Sequence, residues 1–546
     1  LVKNAVIYCL DVETFMDENG DGIGDFRGLT QRVNYLAGLG VTCIWLMPFY
    51  PSPNRDDGYD ITDFYGVDPR LGTLGDFVEF THAARERGIR VIADLVVNHT
   101  SAQHPWFQSA RSDPGSPYRD WYIWLPEKPE QEAKVIFPDE EHSNWEWDEE
   151  AGLYYLHRFY AEQPDLNVGN PEVVEEIHRI MGFWLELGVS GFRVDAVPYL
   201  IEETAIEEEM PEDPHVLLRD MRAFMNRRRG DAILVGEVNL DPGKRYPFFG
   251  ENCDEMTGLF NFIMSGVIFL ALGREEAEPI AACLRDTPVP PGHCQWFTFL
   301  RNHDELNLSR LPDEERCEIM ERFAPDETMR IFNRGIRRRF PAMLDGDQRR
   351  MRLGYSLLLT LPGTPVLWYG EEIGMGDDLA LEGRMAVRTP MQWSPRHNGG
   401  FSTAPGEQLI RPVLSEGPFS HKECNVADQR QAPDSLLNWM ERAIRVRKEN
   451  PEFGWGRCEA RTCDSAVLVC RYDWLEQTVF TVHNLSGQER EVSLDLSGDV
   501  QFAALVDVYG DRAYDELSVD TPKFEIAPYG YRWVRARRED SAISFP

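Results

Sequence analysis

The first half of the chain alternates short, continuously apolar runs with longer stretches in which apolar residues recur every three or four positions. A continuous run suits a strand covered on both faces, and the three-to-four spacing marks a helix with one buried face. The run "AVIYCL" leads into "LTQRVNYLAGLG", where Leu29, Val33 and Leu36 share a helical face and glycines end the pattern. "VTCIWLMPFY" predicts a second strand. "TLGDFVEFTHAARERGI" predicts a helix with Leu74, Phe77, Thr81 and Ala84 inward and Gly88 as its stop. "RVIADLVVNH" predicts the third strand. A later helix starts at Asn170, a capping residue, with Pro171 in its first turn; Val174, Ile177, Met181 and Trp184 form its apolar face and Gly188 ends it. Further strands are predicted at 191–197, 232–238, near "LFNFIM", at 295–304 and at 364–374. Eight strands, most followed by helices, predict an α/β fold, the (β/α)8 TIM barrel, over an open sheet.

Two stretches interrupt the alternation. Residues 101–165 are rich in Trp, Tyr and Pro and predict a small domain inserted after strand three. Residues 305–350, with two arginine-rich segments, predict a helical insertion after strand seven. A last barrel helix in "DSLLNWMERAIRVRKENPEF" stops at Asn450-Pro451. Beyond it, "SAVLVCRYDW", "TVFTVHNLSG" and "EVSLDLSG" alternate with period two, which predicts a C-terminal antiparallel β-sandwich. The expected division is therefore a barrel of 1–100 and 166–450, an insert of 101–165 and a sandwich of 451–546.

Charge narrows the partners. The chain has 56 basic and 92 acidic residues, a net charge of −36, which argues against nucleic acid or an anionic membrane surface. No apolar run approaches the roughly 18 residues of a membrane span. The start, "LVKNAVIYCL", lacks a secretion-signal pattern, and ten cysteines without CxxC pairs read as buried thiols, so a cytoplasmic location is expected. Cys458 and Cys463 are near enough in sequence to pair, which sequence alone leaves open.

The candidate chemistry gathers where core strands end. "GFRVDAVPYL" carries Arg193 and Asp195 two residues apart, pointing the same way from a strand that should be buried. Buried charges are costly unless paired or used. Strand three finishes with Asp94, Asn98 and His99, strand five with Glu237, and strand seven with Asn302, His303 and Asp304. In a barrel these ends converge on one mouth. Retaining glycosyl transfer needs a nucleophilic carboxylate and a second carboxyl, acid then base, about 5–5.5 Å away. Arg193 beside Asp195 favours an ionised nucleophile, and a carboxyl on the apolar "ILVGEV" strand can hold a proton near neutrality.

"DLVVNH", "GFRVDA", "GEVN" and "RNHDE", in this order, resemble the four motifs of the α-amylase superfamily, glycoside hydrolase family 13. The resemblance implies Asp195 as nucleophile, Glu237 as general acid/base and Asp304 as the transition-state stabiliser that grips sugar hydroxyls. It also implies that Arg193 orients Asp195 while His99 and His303 bind the sugar of the −1 subsite. "RDDGYDITDFYGVDPRLGT" is similar to the exo-acting branch and places Asp56 and Tyr59 at that sugar; "VRTPMQWSP" supplies Arg388, expected to pair with Asp56 and close the pocket. Within this branch "LMPFYPSPNRDDGYDI", "QPDLN", "DAVPYL", "GIRRRF" and "EEIGMGDD" resemble the trehalose synthases, which interconvert maltose and trehalose. The chain departs from that pattern in "IEETAIEEEMPEDPH" after Leu200 and in "VNLDPGKRY" after the acid. Three outcomes stay open: isomerisation with hydrolytic side activity, plain exo-acting α-glucosidase or amylase-type hydrolysis, and a non-catalytic binding subunit, against which the complete set of Asp195, Glu237 and Asp304 stands.

"DENGDGIGD" places oxygens at Asp17, Asn19, Asp21 and Asp25 with the Ile23 carbonyl between, a pattern resembling a calcium loop without its terminal Glu. Ca²⁺ and Mg²⁺ both suit it. The family resemblance implies a second calcium on Asn98, Asp165, the carbonyls of Tyr199 and Leu200, and Glu202. No organic cofactor is expected. The expected partner is a small α-glucoside such as maltose or trehalose, with a homodimer open as an alternative to a monomer.

Overall fold

Eight parallel strands close on themselves: β1 (Ile7–Leu10), β2 (Cys43–Leu46), β3 (Arg90–Leu95), β4 (Gly191–Val194), β5 (Ile233–Gly236), β6 (Gly258–Phe260), β7 (Gln295–Phe299) and β8 (Thr364–Trp368). Each pairs with its neighbour in chain order, and β8 returns to β1. The computed structural model describes residues 2–130, 132–137, 140–201, 213–497 and 501–538. It has the predicted barrel, with seven strands inside an apolar run named above and β6 starting one residue before "LFNFIM". The strands are shorter than those runs, however. The run 191–197 pairs only to Val194; Ala196 then takes a left-handed conformation (φ 50°) and Val197–Ile201 is helical. The polar residues at strand ends thus leave the ladder where they are needed. Gly191 is a glycine for a steric reason: a Cβ there would lie 2.2 Å from the Ile233 carbonyl oxygen.

The helices follow their sequence signals with two local corrections. Helix Phe26–Leu39 starts on the Asp25 cap, buries Leu29, Val33 and Leu36, and ends at left-handed Gly40. Helix Leu74–Glu86 opens with a Thr73/Asp76 capping box and buries Phe77, Phe80, Thr81 and Ala84. Leu74 sits in its first turn and is exposed, so Phe80 completes the apolar face instead. Helix Pro171–Glu186 is capped by Asn170 and buries Val173, Ile177, Met181 and Trp184, with Val174 only partly covered.

After β3 the insertion builds an antiparallel sheet of Trp124–Leu125, Leu153–Leu156 and Trp145–Asp148 over a small core of Ile123, Trp145 and Leu156. The stretch 305–350 is not simply helical. One helix, Asp313–Phe323, is joined by a small sheet of Leu306–Asn307, Gly335–Ile336 and Arg330–Ile331. Its hairpin turns at Phe332 and Asn333, both at positive φ. Strands two residues long with no glycine or proline at the bend leave no periodic signal.

The C-terminal strands form a five-stranded antiparallel sheet and a two-stranded one. Alternate residues of Val467–Trp474 serve two cores: Leu468, Cys470 and Tyr472 pack against the barrel, Val467 and Val469 against the sandwich interior. Trp533 Nε1 donates to Ser356 Oγ (2.9 Å) and Tyr472 OH to the Thr360 carbonyl (2.5 Å), tying this sheet to barrel helix Gln348–Thr360. All ten cysteines are free thiols, Cys458 and Cys463 included. Among the described residues, no helix is long and apolar enough to cross a membrane.

Candidate active site

The C-terminal ends of the strands open into a cavity of about 920 Å³. Asp56, Tyr59, His99, Asp195, Glu237 and Asp304 line its floor. Phe137 and Phe159 of the insertion, with Phe332 and Arg334 of the 305–350 stretch, line its sides.

Strand register builds the centre. Asp94 on β3 lies opposite Arg193 on β4, and Arg193 lies opposite Val235 on β5. The ladder runs one residue past each strand: Asp195 N–H donates to the Leu95 carbonyl and Glu237 N–H to the Val194 carbonyl, both at 3.1 Å. Asp195 and Glu237 therefore stand abreast. Arg193 Nη1 donates to Asp94 Oδ1 (2.5 Å) and Asp195 Oδ1 (2.6 Å), and Nη2 lies 2.8 Å from Glu237 Oε2. The left-handed turn at Ala196 aims its N–H at Glu237 Oε2 (3.2 Å). Trp45 Nε1 holds the other oxygen of Asp94 at 3.0 Å.

One guanidinium thus faces three carboxyls, Asp94 and Asp195 buried and Glu237 partly exposed, which leaves a deficit of positive charge and favours retention of a proton. Burial pushes Asp94 and Asp195 up to about 6 against the pull of Arg193. Burial pushes Glu237 up to about 7, opposed by Arg193 and reinforced by the Asp195 charge. A hydrogen bond from Glu237 favours the ionised form of Asp195. The proton belongs on Glu237 and the charge on Asp195.

Asp304 is the opposite case. Its Oδ1 faces Arg384 Nη1 (3.1 Å) and Arg388 Nη2 (3.2 Å), and its Oδ2 lies 3.1 Å from His303 Nε2. Burial works against its charge, yet Arg384, His303 and Arg388 hold it well below the usual carboxylate range. His303 Nε2 is also 2.8 Å from the Tyr59 hydroxyl, while burial lowers its own basicity. His99 is kept neutral by burial, with its pKa lowered to about 4, and bonds the Tyr59 carbonyl through Nε2 at 3.2 Å.

The expected Asp56–Arg388 pair is replaced by its neighbour. Arg388 Nη1 donates to Asp57 Oδ2 at 2.5 Å, and Nε donates to the His303 carbonyl at 2.8 Å. Asp57, at positive φ, turns away from the cavity and also binds Arg411. Asp56 stays on the cavity wall, accepts from Gln163 Nε2 (2.8 Å), and is pushed by burial up to about 7. Arg384, Arg411 and Asp57 are the site residues that sequence reasoning missed. Asp57 stood beside the chosen residue within a quoted motif, whereas Arg384 lies in the short 3-10 turn Gly383–Val387 and Arg411 in an irregular loop, neither with a marker.

Among the described residues, one acidic group brings three ligand atoms within 4.8 Å of one another: Asp11, Glu13 and Asp57. Arg411 bonds all three, so a guanidinium already meets their charge. The loop 17–25 is braced differently. Asp17 accepts from the amides of Gly20 (2.7 Å) and Gly22 (2.8 Å), Asn19 from Asp21 (2.8 Å), and Asp21 from Ile23 (2.9 Å). Asp25 holds the amides of Glu18 and Asn19. Oxygen-bearing residues at alternate positions, each oriented by a nearby amide, are compatible with a hard cation. At the second expected metal site, Asn98 Nδ2 donates to Asp165 Oδ1 (3.2 Å), and Arg158 Nε lies 3.4 Å from Oδ2. Tyr199 and Leu200 follow on helix Val197–Ile201; Glu202 and most of the acidic loop after it lie outside the described residues.

Residues 10–324 and 330–456 match the family model of the alpha amylase catalytic domain, and 477–535 that of the sucrose hydrolase-like C-terminal domain. The chain is 40% identical to a trehalose synthase of Pimelobacter sp. (strain R48), over 99% of this chain and 96% of that one. It is 41% identical to the trehalose synthase/amylase TreS of Mycobacterium tuberculosis (strain ATCC 25618 / H37Rv), over 98% and 90%. The trehalulose synthase MutB from Pseudomonas mesoacidophila MX-45 superimposes with a TM-score of 0.78 at 25% identity, over 98% and 99% of the two chains. By barrel, strand-end carboxylates and whole-length similarity alike, the chain belongs to the α-amylase family, glycoside hydrolase family 13, and groups there with the trehalose synthases.

Proposed function

We propose that the protein interconverts maltose and trehalose by retaining glucosyl transfer, with hydrolysis as a side reaction. The observation that carries this is the apposition of Asp195 and Glu237 on one guanidinium, at 2.6 Å and 2.8 Å from the two terminal nitrogens of Arg193. Two carboxyls held by one guanidinium suit a nucleophile and its acid/base, whereas inversion needs room for water, about 6.5–9.5 Å between carboxyls. Asp195 attacks the anomeric carbon while Glu237 gives its proton to the departing oxygen. A glucosyl ester on Asp195 and free glucose result. Glu237, now ionised, takes a proton from a hydroxyl of that glucose, the new oxygen attacks the anomeric carbon, and the ester breaks. A different hydroxyl gives the other disaccharide; water in its place gives hydrolysis.

In this reading Asp304 steadies the oxocarbenium-like transition state through sugar hydroxyls. Arg193 fixes the nucleophile, and His99, His303, Tyr59 and Asp56 surround the −1 sugar. Arg388, anchored on Asp57, closes the pocket behind it, as attack at a chain end requires. Incubation of the purified protein with maltose, followed by NMR, tests the function: trehalose should accumulate with a smaller yield of glucose. Glucose alone would replace the isomerase with an exo-acting α-glucosidase.

We assign Ca²⁺, or Mg²⁺ in the same place, to Asp17, Asn19, Asp21, Asp25 and the Ile23 carbonyl. A second Ca²⁺ is assigned to Asn98, Asp165, Tyr199, Leu200 and Glu202, where it would tie the insertion to β4. Both roles are structural. Chelation should lower the thermal midpoint, and Ca²⁺ should restore it; Asp21→Asn should reduce that calcium-dependent shift, and an unchanged shift removes the loop assignment.

A further inference from the structure

Both oxygens of Asp304 meet cationic or N–H partners in this structure. Arg384 and Arg388 share one, and His303 takes the other. Sugar hydroxyls arriving at this carboxylate share it with these partners, so the way each partner is held decides how it responds. His303 is fully buried, and Arg388 is fixed at Asp57 and the His303 carbonyl. Arg384 is held otherwise. It projects from a short turn, Gly383–Val387, and its Nε faces Glu305 Oε2 at 3.0 Å. Its guanidinium lies over the rings of Phe137 (5.3 Å) and Phe332 (5.4 Å).

Those two rings come from different insertions and meet over the cavity at 4.9 Å between centroids. Arg334 Nη1 joins the same two segments by donating to the Ile136 carbonyl at 2.6 Å. Arg384 is therefore the side chain that touches both the carboxylate on the floor and the aromatic roof. Glu305 gives it a second anchor under the roof that does not depend on Asp304.

We propose that Arg384 is a positioning residue that couples sugar binding at Asp304 to closure of the Phe137–Phe332 roof, and so sets how often the glucosyl group returns to glucose instead of passing to water. The proposal deepens the glucosyl-transfer reading and rests on it. Water exclusion at this point decides between transfer and hydrolysis.

The test uses p-nitrophenyl α-D-glucoside with glucose added, measuring disaccharide formed per nitrophenol released. Both outcomes descend from one glucosyl-enzyme, so the ratio does not depend on how much protein is folded. Arg384→Gln should lower it by about tenfold or more, and Arg384→Lys should recover most of the loss. Phe332→Ala should lower it in the same direction and add little to Arg384→Gln, because the two act as one unit. A ratio within about twofold of the unmodified protein in Arg384→Gln, or independent, multiplying effects of Arg384→Gln and Phe332→Ala, overturns the proposal. The maltose experiment decides the isomerase reading separately, since an enzyme that only hydrolyses maltose still yields this ratio.

Discussion

Asp195→Ala should reduce maltose turnover by about 10⁴-fold or more, because it removes the group assigned to form the glucosyl ester. Glu237→Gln should be comparably poor on maltose and differ in a diagnostic way on α-glucosyl fluoride. Fluoride leaves without an acid, so the first step survives, while the second step lacks its base. The glucosyl-enzyme should then accumulate and appear in intact-mass spectra as the addition of one glucosyl unit, located by peptide mapping at Asp195. Asp195→Ala should show no adduct. An adduct on Asp94 or Asp304 would reassign the nucleophile, and the geometry makes this a real contest: Asp94 is bound to the same guanidinium. Asp94 is wholly buried behind Tyr59 and Trp45, however, whereas Asp195 lines the cavity.

Arg193→Met should be the most damaging substitution that leaves both reacting carboxyls in place. Removing the cation leaves the buried Asp94 and Asp195 and the partly exposed Glu237 with no guanidinium between them, and breaking such a buried pair costs about 3–5 kcal/mol of stability. The sign with pH follows from the upward shifts of Asp94, Asp195 and Glu237. Each binds its proton more tightly folded than unfolded, so each favours the fold at low pH and loses that contribution as pH rises through its folded pKa. Without Arg193 those shifts grow, and the variant should lose stability more steeply between pH 5 and 8 than the parent.

Activity should move with it. In the parent, kcat/KM should rise as the pair loses its first proton, near 6, and fall as it loses the second, near 7; these are properties of the pair, not of single residues. In Arg193→Met the whole bell should shift to higher pH and shrink. Arg193→Lys should keep part of the stability but little activity, since an ammonium cannot span three carboxyls in one plane. A bell that stays in place in Arg193→Met would refute the assigned electrostatics.

The barrel was legible because its strands are covered on both faces, and such strands announce themselves as apolar runs. The polar residues closing β3, β4, β5 and β7 were legible as a site for the converse reason: they break those runs at corresponding places. Where legibility failed, the physics was not local. Asp56 and Asp57 are identical side chains one position apart, and only the positive φ of Asp57 sends its carboxylate to Arg388 and Arg411. Arg384 and Arg411 act across sequence separations of 80 residues or more, from segments without periodicity. The hairpin at Phe332 escaped because its pairing is two residues long and a lone Asn333 at its turn is a weak signal. Ala196 escaped too, since an alanine in an apolar run gives no hint of a left-handed turn.

The cavity volume can also be described as a concentration. One glucose molecule confined to about 920 Å³ is present at about 2 M. The enzyme then has no need of a high-affinity acceptor subsite, and tight binding would slow the turning that isomerisation demands. Loose retention at high local density is the better arrangement. Enlarging the cavity dilutes the acceptor, and opening it replaces about 2 M with whatever the surrounding solution contains.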